Sequence, residues 1–251
     1  MAKTQVPQDP SMITFHGATD VGNVRTNNED VFHICDAYHY CLVADGMGGA
    51  AAGEVASQIF ADTAKAVFAG HDGLSEENTI ARVQTTFKLA NEKILKHVER
   101  NPYHQGMGCT AELLAFSQES FIIGHVGDSR TYRLKNNTLK LLTKDHSLVQ
   151  KKIDQGLITP KEARRHAMRN VILRAVGVDD EVALDVLKGK KKPADLFLLC
   201  SDGLTDMVEE SDVSAALCAE GTLDEKSEAL IQLAKGAGGK DNVTVVLSVI
   251  V

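Results

Sequence analysis

The sequence has no uninterrupted apolar stretch approaching the ~20 residues that a membrane-crossing helix needs, so no membrane span is expected. Met1 to Pro10 are polar, contain proline and lack the apolar core of a secretory signal. Residues 1–11 therefore read as a disordered tail, and a cytoplasmic location is the expectation. Cysteine is sparse: five residues, an odd number, with no CxxC pair and none followed by arginine six positions on. That excludes a four-cysteine zinc site and a cysteine-dependent phosphate-cleaving loop. It leaves Cys35, Cys41, Cys109, Cys200 and Cys218 as free thiols of a reducing compartment, most of them within apolar runs. The nine histidines form no HEXXH or HxxxH pair, which removes a zinc protease, and Ser201 lacks the G-x-S-x-G context of a nucleophile elbow. An excess of basic charge is missing too. With 34 acids against 27 bases the net charge is −7, which argues against nonspecific nucleic-acid binding. The local basic runs, Lys151-Lys152, Lys161 to Arg169 and Lys188 to Lys192, read as solvated surface.

What remains is an ordinary globular composition, 43% hydrophobic and 24% charged. The chain is organised around residues 38–50. There an apolar run, Tyr40 to Ala44, ends in a carboxylate, Asp45, and three glycines follow within four residues before a helix opens at Ala50. Glycine lets backbone approach a ligand closely, and an acid beside exposed carbonyls suits a hard cation. The pattern recurs. Phe121 to Val126 ends in Gly127-Asp128, Leu196 to Cys200 ends in Ser201-Asp202, Asp241-Asn242 precedes Val243 to Val251, and Glu29-Asp30 precedes Val31 to Cys35. If these ends converge, the carboxylates repel one another and are costly to desolvate unless cations neutralise them. The set Glu29, Asp30, Asp45, Asp128, Asp202 and Asp241 is all oxygen, which favours Mg2+ or Mn2+.

The run from Gly46 to Ala51 matches the dinucleotide fingerprint G-x-G-x-x-A, but a second long helix follows instead of a parallel strand bearing an acid, which disfavours a dinucleotide site. Taken in order, strands are expected at Ile13 to Ala18, Val31 to Asp36 and His39 to Ala44. Helices follow over Ala50 to Phe68 and, capped by Ser75, up to Asn101-Pro102. Cys109 to Phe116, Ser120 to Val126, Arg130 to Leu134 and Thr138 to Leu142 read as strands, with Lys135-Asn136-Asn137 as a turn. Asp145 to Arg169 is polar, basic and weakly helical, an excursion on the surface. Strands return at Val182 to Leu187 and Leu196 to Cys200, Ser211-Asp212 caps a helix through Cys218, Leu223 to Lys235 is another helix, and the chain closes on a strand. Hairpin strands with one early and one late helix pair predict an α+β layered protein, each pair covering one face of a β-sandwich. There is no internal repeat and no linker, so residues 12–251 read as a single domain.

Seven motifs in register make the sequence resemble the metal-dependent, type 2C serine/threonine protein phosphatases in their bacterial single-domain form. They are Arg25-Thr26-Asn27-Asn28-Glu29-Asp30, Ala44-Asp45-Gly46-Met47-Gly48-Gly49, Gly108-Cys109-Thr110-Ala111 and Gly127-Asp128-Ser129-Arg130. After these come Thr143-Lys144-Asp145-His146-Ser147, Ser201-Asp202-Gly203-Leu204-Thr205-Asp206 and Asp241-Asn242-Val243-Thr244. The resemblance covers about residues 13–251. It implies a four-layer α-β-β-α sandwich, two antiparallel sheets flanked by helix pairs, with two Mn2+ or Mg2+ ions at one edge and a third, weaker ion. By position Asp45 would bridge both core ions, the Gly46 carbonyl would bind one, Asp202 and Asp241 the other, and Glu29 would act through a bound water. Asp128 matches the ligand of the third ion, Arg25 the arginine that holds the substrate phosphate, and residues 145–170 the flap. The implied reaction is in-line attack on a phosphoserine or phosphothreonine monoester by a water shared between the two ions.

Animal members carry a histidine after the Asp-Gly pair as the proposed general acid. Here that position is Met47, as in bacterial members, so the proton must come from another source, such as a water on the Asp128 ion. The implied partners are phosphorylated proteins and a Hanks-type kinase; neither nucleic acid nor membrane is expected, and a monomer is. The alternatives are a non-catalytic phosphoprotein-binding relative, which loss of a metal acid would favour, and a metal phosphodiesterase or nuclease, which the acidic balance disfavours. None of the expected acids is missing.

Overall fold

The computed structural model describes residues 13–48, 52–70 and 75–251; the expected tail at residues 1–11 and the helix start at Ala50 lie outside them. The first strands are β1 (Ile13–Asp20), β2 (Asp30–Cys35) and β3 (Tyr40–Met47), and the helices α1 (Gly53–Phe68) and α2 (Glu76–Arg100) follow. Next come β4 (Gly108–Cys109), β5 (Ala111–Phe116), β6 (Ser120–Val126), β7 (Arg130–Lys135) and β8 (Thr138–Leu141). Two short helices, α3 (Leu148–Asp154) and α4 (Pro160–Ala163), precede β9 (Asp185–Lys190) and β10 (Leu196–Cys200). The chain closes with α5 (Asp202–Thr205), α6 (Glu210–Cys218), α7 (Leu223–Gly236) and β11 (Val243–Ile250).

The strands form two antiparallel sheets, β1-β11-β10-β7-β8 and β2-β3-β5-β6-β9, with β4 added to β3. Three buried clusters separate four layers. One lies between the sheets and holds Cys41, Val43, Leu114, Phe197, Leu199 and Val246. A second joins Leu42, Ala44 and Leu113 to Phe60, Phe87 and Ile94 of the early helices. The third joins Leu198, Cys200, Val245 and Leu247 to Leu217 and Leu230 of the late pair. Alternate residues of one strand thus enter different cores. A strand buried on both faces must be apolar throughout, and this is why Tyr40 to Ala44 and Leu196 to Cys200 read as continuous runs.

Local signals explain most boundaries. Ser75 Oγ accepts from the Asn78 N–H at 3.2 Å and caps α2, and Thr222 and Glu225 close a capping box on α7. Asn136 and Asn137 both have positive φ (48° and 57°), the backbone of a tight hairpin turn between β7 and β8. Four expectations need correction. β3 does not stop at Ala44, because Gly46 and Met47 pair with Cys109 and Gly108. Cys109 to Phe116 is consequently broken at Thr110 into β4 and β5. The strand expected at Val182 to Leu187 starts at Asp185 and continues to Lys190, since Val182 and Leu184 pack against the early-helix core before pairing with β6 begins. Finally, α6 starts ahead of Ser211-Asp212, because the Glu209 carbonyl already accepts from the Asp212 and Val213 N–H groups. All five cysteines are free thiols; Cys41, Cys109 and Cys200 are buried and Cys218 is exposed. Among the described residues no helix is long and apolar enough to cross a membrane.

Candidate active site

The acid-bearing strand ends meet at one edge of the sandwich. Asp45 lies within β3, opposite Asp30 of β2, and the two sheets bring Asp202, at the end of β10, and Asp241, before β11, to the same edge. The carboxyls report each other's charge. Burial pushes Asp45 well above the ordinary carboxylate range, and Asp30, Asp202, Asp128 and Asp241 push it further. Asp202 is raised likewise, by burial and then by Asp128, Asp206, Asp241 and Asp30. Like charges that cannot all ionise share protons or take up cations.

Glu29 is fixed through its backbone. Its carbonyl accepts from the Gly46 N–H at 3.1 Å and from Ser57 Oγ at 2.6 Å. Its carboxylate and the Gly46 carbonyl both face Gly53, at the start of α1: a Cβ there would lie 2.8 Å from Glu29 Oε2 and 2.8 Å from Gly46 O. Only glycine leaves room for two oxygens to approach the helix start in this way. Arg25 stands on an exposed loop, and its Nη2 donates to Asp241 Oδ2 at 2.8 Å. Asp241, Glu29 and Asp202 all favour its charge.

Asp128, just past β6, lies beside Asp145 and Asp206, on the side of residues 145–170. Burial, then Asp145 and Asp206, raises it to about 7, although Arg130 opposes them. Its Oδ1 is buried and has no hydrogen-bond partner. Asp128 and Asp202 floor a cleft of about 590 Å³ whose walls include Arg130, Arg164 and Arg169.

Thus Asp45, Gly46, Glu29, Asp202, Asp241 and Arg25 come together, with Asp128 beside Asp202. Among the described residues no three of the acids yet close on one point as a finished ligand group. The donor chemistry nevertheless fits a hard cation: oxygens only, mutually repelling, with an orphaned carboxylate oxygen on Asp128. Met47 pairs with Gly108 in the β3–β4 ladder and brings no titratable group.

Two participants had no individual role assigned from the sequence, although Asp30 belongs to the all-oxygen set and Asn242 to the last motif. Asp30 is buried and raised to about 6; burial drives it up, while hydrogen bonds from Thr244 and Ser201 hold it down. Asn242 staples the site together. Its Oδ1 accepts from the Glu29 N–H at 2.8 Å, its Nδ2 donates to the Val21 and Asn27 carbonyls, and its own N–H donates to Asp241 Oδ1. Its place between Asp241 and Val243 was the available signal; its partners, over 200 positions away, were not.

Comparison with known proteins matches the family model of protein phosphatase 2C to residues 23–235. The chain is 39% identical over 236 residues to the serine/threonine phosphatase stp of Listeria innocua, covering 91% of this chain and 92% of that protein. Among solved structures it resembles serine/threonine phosphatase Stp1 from Staphylococcus aureus, with a TM-score of 0.90, 32% identity and 100% of both chains covered. It also resembles the catalytic domain of serine threonine protein phosphatase PstP, solved in complex with two manganese ions. There the TM-score is 0.88 and the identity 35%, over 96% of this chain and 99% of that one.

Proposed function

The chain belongs to the protein phosphatase 2C family and is a protein-serine/threonine phosphatase, and we propose that it hydrolyses phosphoserine and phosphothreonine monoesters on proteins by direct attack of water, using Mn2+ or Mg2+. The observation that carries this reading is the meeting of Asp45, Asp202 and Asp241, whose charges oppose one another, beside a guanidinium on Asp241. Two ions bound at Asp45, the Gly46 carbonyl, Asp202 and Asp241 would supply an acidified water and Lewis-acid neutralisation of the phosphoryl oxygens.

The chain's own groups do the rest. Asp45 lies among the other acids and is the one placed to join the two halves of the ligand set. Glu29, whose carboxylate faces the start of α1, would reach an ion through a bound water. Arg25, exposed and anchored on Asp241, offers its remaining N–H groups to the equatorial oxygens of a phosphate. No nucleophilic side chain is needed, and Met47 donates no proton to the leaving alkoxide. Asp128, beside Asp202, would hold a third, weaker ion, which could supply an acidified water for protonating the leaving alkoxide. The cleft under residues 145–170 receives the polypeptide that carries the phosphate. The substrates are phosphoproteins, which a bacterial serine/threonine kinase of the Hanks type would generate. Residues 12–251 act as one catalytic domain, as a monomer in the cytoplasm.

The test is hydrolysis of p-nitrophenyl phosphate against bis(p-nitrophenyl) phosphate, with Mn2+ and with chelator. A metal-dependent monoesterase with little diesterase activity is expected. Preference for the diester would point to a phosphodiesterase, and no turnover of a phosphothreonine peptide that nonetheless binds would point to a non-catalytic relative.

A further inference from the structure

Gly127, between β6 and Asp128, is gripped from two sides. Its φ is +113°, and a Cβ there would lie 2.5 Å from Thr110 Cβ, so Thr110 closes one side. His146 closes the other. The His146 backbone N–H donates to Gly127 O at 2.7 Å, and the Gly127 N–H donates to His146 Nδ1 at 3.1 Å. Both polar atoms of one residue's backbone are satisfied by a single partner 19 positions away. The next side chain is Asp128, buried, with an Oδ1 that no hydrogen bond orients. Its aim therefore depends on the backbone that precedes it.

The same histidine ties the start of the excursion at residues 145–170 to the chain just past its end. Its carbonyl accepts from the Leu173 N–H at 2.7 Å, Ser147 bridges Ile172, and the Leu148 N–H donates to Val171 O. The Gly127 N–H can meet only a bare Nδ1, which leaves the ring proton on Nε2; there Asp185 Oδ2, at 3.2 Å, accepts it, while Arg174 Nη1, 3.0 Å from the same nitrogen, donates to Asp185 Oδ1. Behind His146, at 4.5 Å between ring centres, lies His125, which is bonded to Glu112 and to the Lys144 carbonyl. Burial, then the nearby charge of His125, holds His146 at about 4, so it stays neutral and keeps Nδ1 as an acceptor.

We infer that His146 is a positioning residue for Asp128, a clamp on the Gly127 peptide that fixes the Asp128 carboxylate to the base of the excursion over the cleft. This rests on the reading of Asp128 as a participant in turnover of alkyl phosphates, and the test keeps the two apart. The measurement is kcat and KM of Asp128→Ala, His146→Ala and the double variant on a phosphothreonine peptide and on p-nitrophenyl phosphate, at saturating Mn2+. His146→Ala should reproduce the Asp128→Ala pattern, a loss of kcat about tenfold larger on the peptide than on the aryl ester. In the Asp128→Ala background it should cost less than about twofold more, because groups acting through one another are not additive. His146→Asn, whose Oδ1 sits where Nδ1 does and accepts from Gly127, should restore most of kcat, and His146→Gln, whose oxygen sits nearer the Nε2 position, should not.

An unchanged Asp128→Ala enzyme would overturn the reading of Asp128 and this inference with it. A potent Asp128→Ala effect with a fully additive His146→Ala loss would overturn the inference alone. If His146→Ala does not fold, the Asn and Gln variants decide: equal kcat for both rules out the clamp.

Discussion

Asp30 and Asp45 stand directly opposite each other across the β2–β3 ladder, two carboxyl side chains on one face of the sheet. Like charges so placed oppose pairing, and Asp30 is held there by a 2.8 Å hydrogen bond from Ser201 Oγ. The site is thus built against its own electrostatics.

Asp30→Asn keeps an oxygen for Ser201 and removes one charge from beside Asp45. The metal-stripped variant should melt above the stripped wild type, while its Mn2+ affinity falls by about tenfold. Differential scanning calorimetry with and without Mn2+ reads both; a variant that is less stable in both states contradicts the account.

Much of this arrangement was legible in the sequence, for a physical reason. Strands buried on both faces must be apolar throughout, so the acids at the ends of Leu196 to Cys200 and Phe121 to Val126 stand out against them. The glycines after Asp45 also announced a close backbone approach, now seen at Gly46, which packs against the Gly53 and Glu29 backbone. What spacing did not carry was long-range pairing. The extension of β3 through Met47 depends on Gly108 and Cys109, and the roles of Asn242 and His146 lie in hydrogen bonds to distant backbone. The displacement of β9 arose because Val182 and Leu184 are apolar for the helix-layer core rather than for the sheet.

Asn242→Ala would strand the half-buried Glu29 N–H and free the loop that carries Arg25. A loss of about 1–3 kcal/mol is expected, the cost of leaving one such group unsatisfied, together with weaker Mn2+ binding. Asn242→Asp keeps the acceptor for Glu29 but sets a carboxylate oxygen against the Val21 and Asn27 carbonyls and adds charge to the acid cluster, so it should be no milder. Urea denaturation of both variants checks this, and equal stability of the Ala variant and the wild type would refute it.

Arg25→Ala should raise KM for p-nitrophenyl phosphate by about tenfold, the weight of a charge-assisted hydrogen bond to a phosphate. The melting temperature should hardly move, because the 2.8 Å ion pair with Asp241 is exposed. An unchanged KM would leave the arginine as a loop residue only.

The raised carboxyls also set a pH dependence. Asp30 and Asp128 titrate near about 6 and about 7 when folded, against 3.8 ordinarily. Between those values the folded chain binds more protons than the unfolded one, so their contribution to stability falls as pH rises through the window. Stripped of metal, the wild type should lose more stability from about pH 5 to about pH 7.5 than the double variant Asp30→Asn, Asp128→Asn. Saturating Mn2+, which requires ionised ligands, should abolish that difference. Melting curves at the two pH values check it, and an identical pH dependence of both stripped proteins would contradict it.

We propose that Asp45 joins two ions at the meeting point of the sheets. This is tested most directly by a Mn2+ binding isotherm on the wild type and on Asp45→Asn, run by titration calorimetry on chelator-treated protein. The account predicts two ions bound tightly by the wild type and neither bound tightly by the variant, whose melting temperature without metal is preserved or raised. An Asp45→Asn protein that still takes up two ions with unchanged affinity would contradict it.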